Sequence, residues 1–134
     1  MNKMNKKMEY ALMALRLIAQ QPEGGLVSAK EVAEQVHIPF EVTARVLQAL
    51  SARGLLKAEY GVGGGYTLAR PLAEVSIHDL SEMLEGHTIL TKCLGNEEPC
   101  EISPTCNIVS PINHLNRKVQ DFYKSLSLDE VLNV

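Results

Sequence analysis

The stretch Gly61-Val-Gly-Gly-Gly65 limits the fold more than any other, because strand-like runs flank it on both sides: Leu55-Leu-Lys-Ala-Glu-Tyr60 and Tyr66-Thr-Leu-Ala-Arg70. Glycine supplies the positive φ values of a tight hairpin and lets backbone approach another surface closely. A short β-hairpin is therefore expected over residues 55–70. Directly before it, Val42, Thr43, Val46, Leu47 and Leu50 recur at helical spacing. The helix they define runs from Pro39, which suits a first turn, to about Arg53, and Gly54 stops it. Further upstream, Ser28-Ala-Lys-Glu31 is a capping box, in which serine and glutamate satisfy each other's free N–H groups. It opens a short helix with Val32, Ala33 and Val36 inward, broken at His37-Ile38-Pro39.

Two short helices joined by a three-residue turn form a helix-turn-helix arrangement. Taken alone, the pair equally fits a helical hairpin that only packs. The hairpin that follows favours the first reading, since a β-hairpin directly after a recognition helix is the wing of a winged helix. The glycines fit a nucleotide-binding loop poorly. The dinucleotide fingerprint needs glycine where Tyr66 stands and a helix after it, and a phosphate loop needs Gly-Lys-Ser/Thr.

The net charge of −3 argues against a nucleic-acid partner until its distribution is considered. Residues 1–71 carry nine Lys and Arg against six Asp and Glu, whereas residues 72–134 carry four against ten. A basic half joined to an acidic half suggests a binding domain with a separate module. On the helix from Pro39 to about Arg53 the outward positions are Phe40, Glu41, Ala44, Arg45 and Gln48. Arg and Gln hydrogen-bond guanine and adenine edges in the major groove, and Glu accepts from cytosine. Lys3, Lys6, Lys7 and Lys57 suit phosphates, which position a protein without reading sequence. Ser28 and the wing residues Tyr60, Gly61, Gly63, Gly64 and Tyr66 complete the candidate DNA-contacting set. Singly, each residue also fits an ordinary solvated surface; with the wing, the set favours double-stranded DNA.

The remaining segments divide similarly. Met8, Leu12, Leu15, Ile18 and Ala19 predict a helix over 5–21, ended by Pro22, Gly24 and Gly25. Ser76 caps a helix with Ile77, Leu80, Met83 and Leu84 inward, which Gly86 ends. Ile108, Ile112, Leu115, Val119, Phe122 and Leu126 recur at four and three residues, a heptad-like seam on a long helix. That seam needs a partner, and a homodimer is expected because helix-turn-helix readers meet two half-sites through a two-fold axis. Ser127-Leu-Asp-Glu130 resembles another capping box. The fold class expected is mainly α, a winged helix-turn-helix domain with a small β-hairpin wing plus a long C-terminal dimerisation helix. Its parts are the DNA-binding domain at 1–86, a cysteine-containing loop at 87–106, and the dimerisation helix with a C-terminal turn at 107–134.

All three cysteines, Cys93, Cys100 and Cys106, lie in that loop, a polar stretch broken by Pro and Gly. No apolar run approaches the roughly 18 residues of a membrane span. The N-terminal lysines resemble a signal peptide, but Glu9 and Arg16 interrupt the apolar run and no small-residue cleavage site follows. A cytoplasmic chain with no membrane partner is expected, where an odd set of thiols stays reduced. Structural zinc sites pair cysteines two to four residues apart, and none of these are so placed. Thiolates hold iron–sulfur clusters, and three of them leave one coordination position for another ligand. A cluster-free thiol redox switch and a small iron–sulfur electron carrier stay open as alternatives. No acid–base or nucleophile constellation near the cysteines suggests an enzyme.

With wing and cysteine loop placed, nearly the whole chain resembles the Rrf2 family of bacterial winged-helix regulators, particularly its IscR-like and NsrR-like iron–sulfur branches. The resemblance rests on Tyr10-Ala-Leu-Met-Ala-Leu, Val27-Ser-Ala-Lys-Glu-Val-Ala, Ile38-Pro39, Val46-Leu-Gln-Ala-Leu and Gly54-Leu-Leu. Its most specific pieces are Gly63-Gly-Gly-Tyr-Thr-Leu-Ala-Arg-Pro71 and the three-cysteine loop before a long helix. It implies a homodimeric transcription factor whose affinity for operator DNA is controlled by a [2Fe-2S] or [4Fe-4S] cluster on Cys93, Cys100 and Cys106. The signal implied is nitric oxide, redox state or iron supply. Six residues separate the first two cysteines, where IscR-like members usually have five. Val109 stands where those members carry a histidine ligand, and Tyr60 where an arginine often precedes the wing glycines. Glu9 matches the acidic N-terminal-helix ligand of NsrR-like members, although acidic residues are favoured in any first helical turn. His87 and His114 are further candidates for the fourth position.

Overall fold

The computed structural model describes residues 4–85 and 103–134. Helix α1 (Lys6–Ala19) opens at Asn5, whose side chain accepts from the Met8 N–H, and buries Met8, Ala11, Ala14, Leu15 and Ile18. Helix α2 (Ala29–Val36) begins with the expected capping box: the Glu31 N–H donates to Ser28 Oγ at 3.1 Å, and the Ser28 N–H to Glu31 Oε2 at 3.4 Å. It ends at His37 in the left-handed region, φ 55°, and the Ile38 N–H reaches back to the Ala33 carbonyl. Helix α3 (Phe40–Ala52) buries Thr43, Val46, Leu47 and Leu50. Pro39 is the residue before the first turn rather than within it; its carbonyl accepts from both the Thr43 N–H and the Thr43 hydroxyl, the latter at 2.7 Å. That contact lets a threonine sit in the core with its polar group satisfied. Gly54, at φ 82°, provides the reversal that ends the helix.

Strands β1 (Leu56–Glu59) and β2 (Gly65–Leu68) pair antiparallel, from Leu56 opposite Leu68 to Glu59 opposite Gly65. Both are shorter than the apolar runs that announced them. Val27 adds a bridge to Tyr66, so the wing is fastened to the segment leading into α2. A 3-10 turn (Leu72–Glu74) follows, then α4 (Ile77–Glu85), which starts with reciprocal bonds between Ser76 and Asp79. The stop expected at Gly86 lies outside the described residues.

After a 3-10 turn at Ser103–Thr105 come the long helix α5 (Val109–Ser125) and the short helix α6 (Leu128–Leu132). The chain returns here to the head. The Ile77 N–H donates to the Leu126 carbonyl at 2.9 Å, and the Leu128 N–H to the Val75 carbonyl at 2.8 Å. Leu128 is completely buried and joins Leu15, Val32, Leu47, Leu50, Leu55 and Leu80 in one core. The Ser127 capping box does not form; its hydroxyl bonds the Asp129 carboxylate, which also accepts the Glu130 N–H. Helix α5 packs on α4, yet its one buried residue is Asn116. Ile108, Leu115 and Phe122 of the apolar seam are exposed, and Ile112, Val119 and Leu126 half-buried. The body of the chain therefore covers the seam only in part, and Ile108, Leu115 and Phe122 stay exposed among the described residues.

Candidate nucleic-acid interface and cysteine site

Helix α3 turns its buried stripe to the core, so residues on the opposite side face outward together. Phe40, Glu41, Arg45 and Gln48 are exposed and Ala44 is half-buried. The first residues of such a helix are the ones that reach base edges in the major groove. Lys30 on α2, which the sequence reading passed over, lines a mainly apolar groove with Ala33, Glu34, Ile38 and Phe40. A single lysine as the second residue of a helix is ordinary, and nothing in the chain singles it out.

The wing projects beside this face. Gly61 and Gly63 take φ values of 100° and 78°, and the Gly64 N–H closes the turn on the Gly61 carbonyl at 3.0 Å. A Cβ on Gly64 would lie 2.2 Å from the Glu59 carbonyl oxygen, so only glycine fits there. Tyr60 and Val62 stand fully in solvent at the tip. Tyr66 is half-buried under the Val27 bridge. Burial pushes its phenol above the ordinary tyrosine range, and the neighbouring Tyr60 adds to the shift. Ser28 is occupied as the cap of α2, with partial exposure left.

The lysines are dispersed. Lys7 on α1 and Lys57 on β1 are exposed, and Lys3 lies outside the described residues. Lys6 is drawn to Glu9, its Nζ 3.1 Å from Glu9 Oε2, and the hydrogen bond and charge of that carboxylate raise the lysine pKa. Glu9 thus sits in the first turn of α1 as a partly exposed ion-pair partner.

Cys93, Cys100 and His87 lie outside the described residues. Cys106 is a free, half-buried thiol just before α5. It borders an open cavity of about 660 Å³ together with Asn107, Val109, Ser110, Asn113, Asn116 and Arg117. Asn116 Oδ1 is buried there and finds no hydrogen-bond partner among the described residues. His114 is exposed on α5. Among the described residues no group of three or more His, Cys, Asp or Glu comes together as a metal site.

A capped helix-turn-helix followed by a glycine-tipped wing defines a winged helix-turn-helix protein. Comparison with known proteins narrows the class. The chain belongs to the Rrf2 family, whose profile, described as an iron-dependent transcriptional regulator, matches residues 4–134. A Haemophilus influenzae protein named as an HTH-type transcriptional regulator is 30% identical over 131 residues, covering 98% of this chain and 87% of its own. The HTH-type transcriptional regulator IscR of Pectobacterium atrosepticum is 24% identical, covering 98% of this chain and 79% of its own. In structure the chain is similar to CymR, the global cysteine regulator of B. subtilis, with TM-score 0.74, 22% identity and coverage of 99% and 98%. The relatives that this chain matches are transcriptional regulators rather than enzymes. No described helix is long and apolar enough to cross a membrane.

Proposed function

We propose that this protein is a homodimeric, operator-binding regulator whose DNA affinity is set by an iron–sulfur cluster held on Cys93, Cys100 and Cys106, with Glu9 as the fourth ligand. The observation that carries the reading is the position of Cys106: a free thiol on an open polar cavity, directly before the helix that bears the partly exposed seam. The residues around it suit a bound group. The guanidinium of Arg117 favours an anionic occupant, and Asn116 leaves a buried polar atom unused. When bound, the cluster supplies a redox- and nitric-oxide-sensitive centre, and a carboxylate ligand is displaced more readily than a thiolate.

Coupling to DNA follows from the anchoring of α5. The bonds from Ile77 to Leu126 and from Leu128 to Val75 tie the end of α5 to the start of α4 and the residues just before it. A shift at the Cys106 end would therefore turn the head on the dimer helix rather than dissipate. In this division residues 1–86 read DNA, 87–106 sense and 107–134 pair the subunits, the last turn returning to the head's core.

Anaerobically purified protein should be coloured and contain iron and acid-labile sulfide, and its binding to duplex DNA should weaken steeply with salt. Colourless, iron-free protein after anaerobic reconstitution would sink the cluster. In Glu9→Ala the cluster should become more labile or shift in potential; an unchanged spectrum and lability would refute the ligand role. The accessible Cys106 thiol also supports a second reading, a cluster-free thiol switch. It predicts no iron, and a disulfide on mild oxidation that alters DNA affinity.

A further inference from the structure

Phe40 is the first residue of α3 and is 53% exposed. Its side chain lines a mainly apolar groove of about 420 Å³ together with Lys30, Ala33, Glu34 and Ile38. Along the same outward face, one and two turns on, lie Ala44 and Gln48, with Glu41 and Arg45 beside them. Glu41, Arg45 and Gln48 each match a polar base edge, whereas a phenyl ring matches none. In the major groove the C5-methyl of thymine is the apolar group that base pairs present. Side chains at the start of a recognition helix are the ones that reach base edges. Covering α2 does not explain the ring, because more than half of it remains in solvent while Ala33 is already buried.

We propose that Phe40 is a specificity-determining residue that packs on the 5-methyl group of a thymine in each operator half-site, with the Ala44 methyl flanking it. The proposal rests on the reading of α3 as the DNA-contacting helix. It states which base the apolar end of that helix selects and leaves the polar positions to their own pairs.

The experiment uses the full chain to enrich bound sequences from a random duplex pool. The enriched site is then resynthesised with each thymine replaced in turn by deoxyuridine, which removes only the methyl. For the unsubstituted protein, one symmetry-related thymine position should lose about fourfold in affinity per half-site, the worth of one buried methyl group. Phe40→Ala should bind the thymine duplex more weakly and lose nothing further with deoxyuridine, whereas Phe40→Leu should keep most of the discrimination. If Phe40→Ala does not fold, Phe40→Gln replaces it, since it keeps an aliphatic stem over Ala33 and Ile38; the same loss of discrimination is expected. Indifference of the unsubstituted protein to deoxyuridine at every thymine overturns the proposal. So does a Phe40→Ala or Phe40→Gln protein as sensitive as the parent. A pool that yields no enriched duplex overturns the DNA reading of α3 itself, a result distinct from either.

Discussion

Gly65→Ala should detach the wing from the body. A Cβ at this position would lie 2.7 Å from the Val27 carbonyl carbon, 2.8 Å from its oxygen and 2.9 Å from the Ser28 nitrogen. Ordinary carbon contacts begin at about 3.5 Å, so β2 must retreat by about 0.8 Å. The obstacle is backbone and has no rotamer with which to yield. The two bridge bonds, Tyr66 N–H to Val27 O at 2.8 Å and Val27 N–H to Tyr66 O at 3.1 Å, would stretch out of range. Each is worth about 1 kcal/mol, and overpacking adds about 1–3 kcal/mol, of which stretching the bonds relieves part. A loss of about 2–4 kcal/mol is expected. Gly61→Ala is the control, because nothing lies within 4 Å of its Cβ and only the φ of 100° is strained, at about 1–2 kcal/mol. Urea unfolding gives both values, and amide exchange at Val27 and Tyr66 reports the bridge directly. A Gly65→Ala protein no less stable than Gly61→Ala, with both amides still protected, would refute the reasoning. DNA affinity should fall with the wing displaced, while α3 stays folded.

Leu128→Ala should cost about 2–5 kcal/mol, as for other fully buried leucines, although it lies in the short helix α6; thermal unfolding checks this, and a neutral result would show that α6 does not close the core. Leu115→Glu combined with Phe122→Glu should yield a folded monomer, because both side chains are already exposed on a single chain. Sedimentation equilibrium reads the outcome, and a persistent dimer would mean the subunits pair elsewhere. The Tyr66 phenol is raised above its ordinary value of 10.0, first by burial and then by Tyr60. Its protonated form therefore contributes stability that is complete below that value and lost as pH climbs through the raised one. Tyr66→Phe should flatten this alkaline slope, and an ultraviolet titration showing Tyr66 ionising at or below the ordinary value would contradict it.

Much of the reader was visible in the chain because its signals are local. The Ser28–Glu31 box, the four- and three-residue stripe of α3 and the glycine turn each act within a few residues, and each reappears in the structure. Local rules also misled. Pro39 stands just before α3 instead of entering it, its backbone extended at ψ 132°, and Ser127 bonds Asp129 in place of the expected backbone N–H. His37 closes α2 in the left-handed region, which histidine enters more often than most residues.

By itself the sequence determined the helix-turn-helix, the hairpin after it, the outward set on α3 and the amphipathic seam of α5. These follow from period, capping and glycine's freedom, which are properties of short stretches. Only the tertiary structure decided how those stretches are joined. Val27 fastens the wing, Leu126 and Leu128 bring the end of the long helix back to α4, and Ile108, Leu115 and Phe122 of the seam stay exposed. Such pairings depend on surfaces far apart in sequence meeting at the right distance. No local pattern encodes that, and it is what joins the end of α5 to α4 and to the core on which α3 packs.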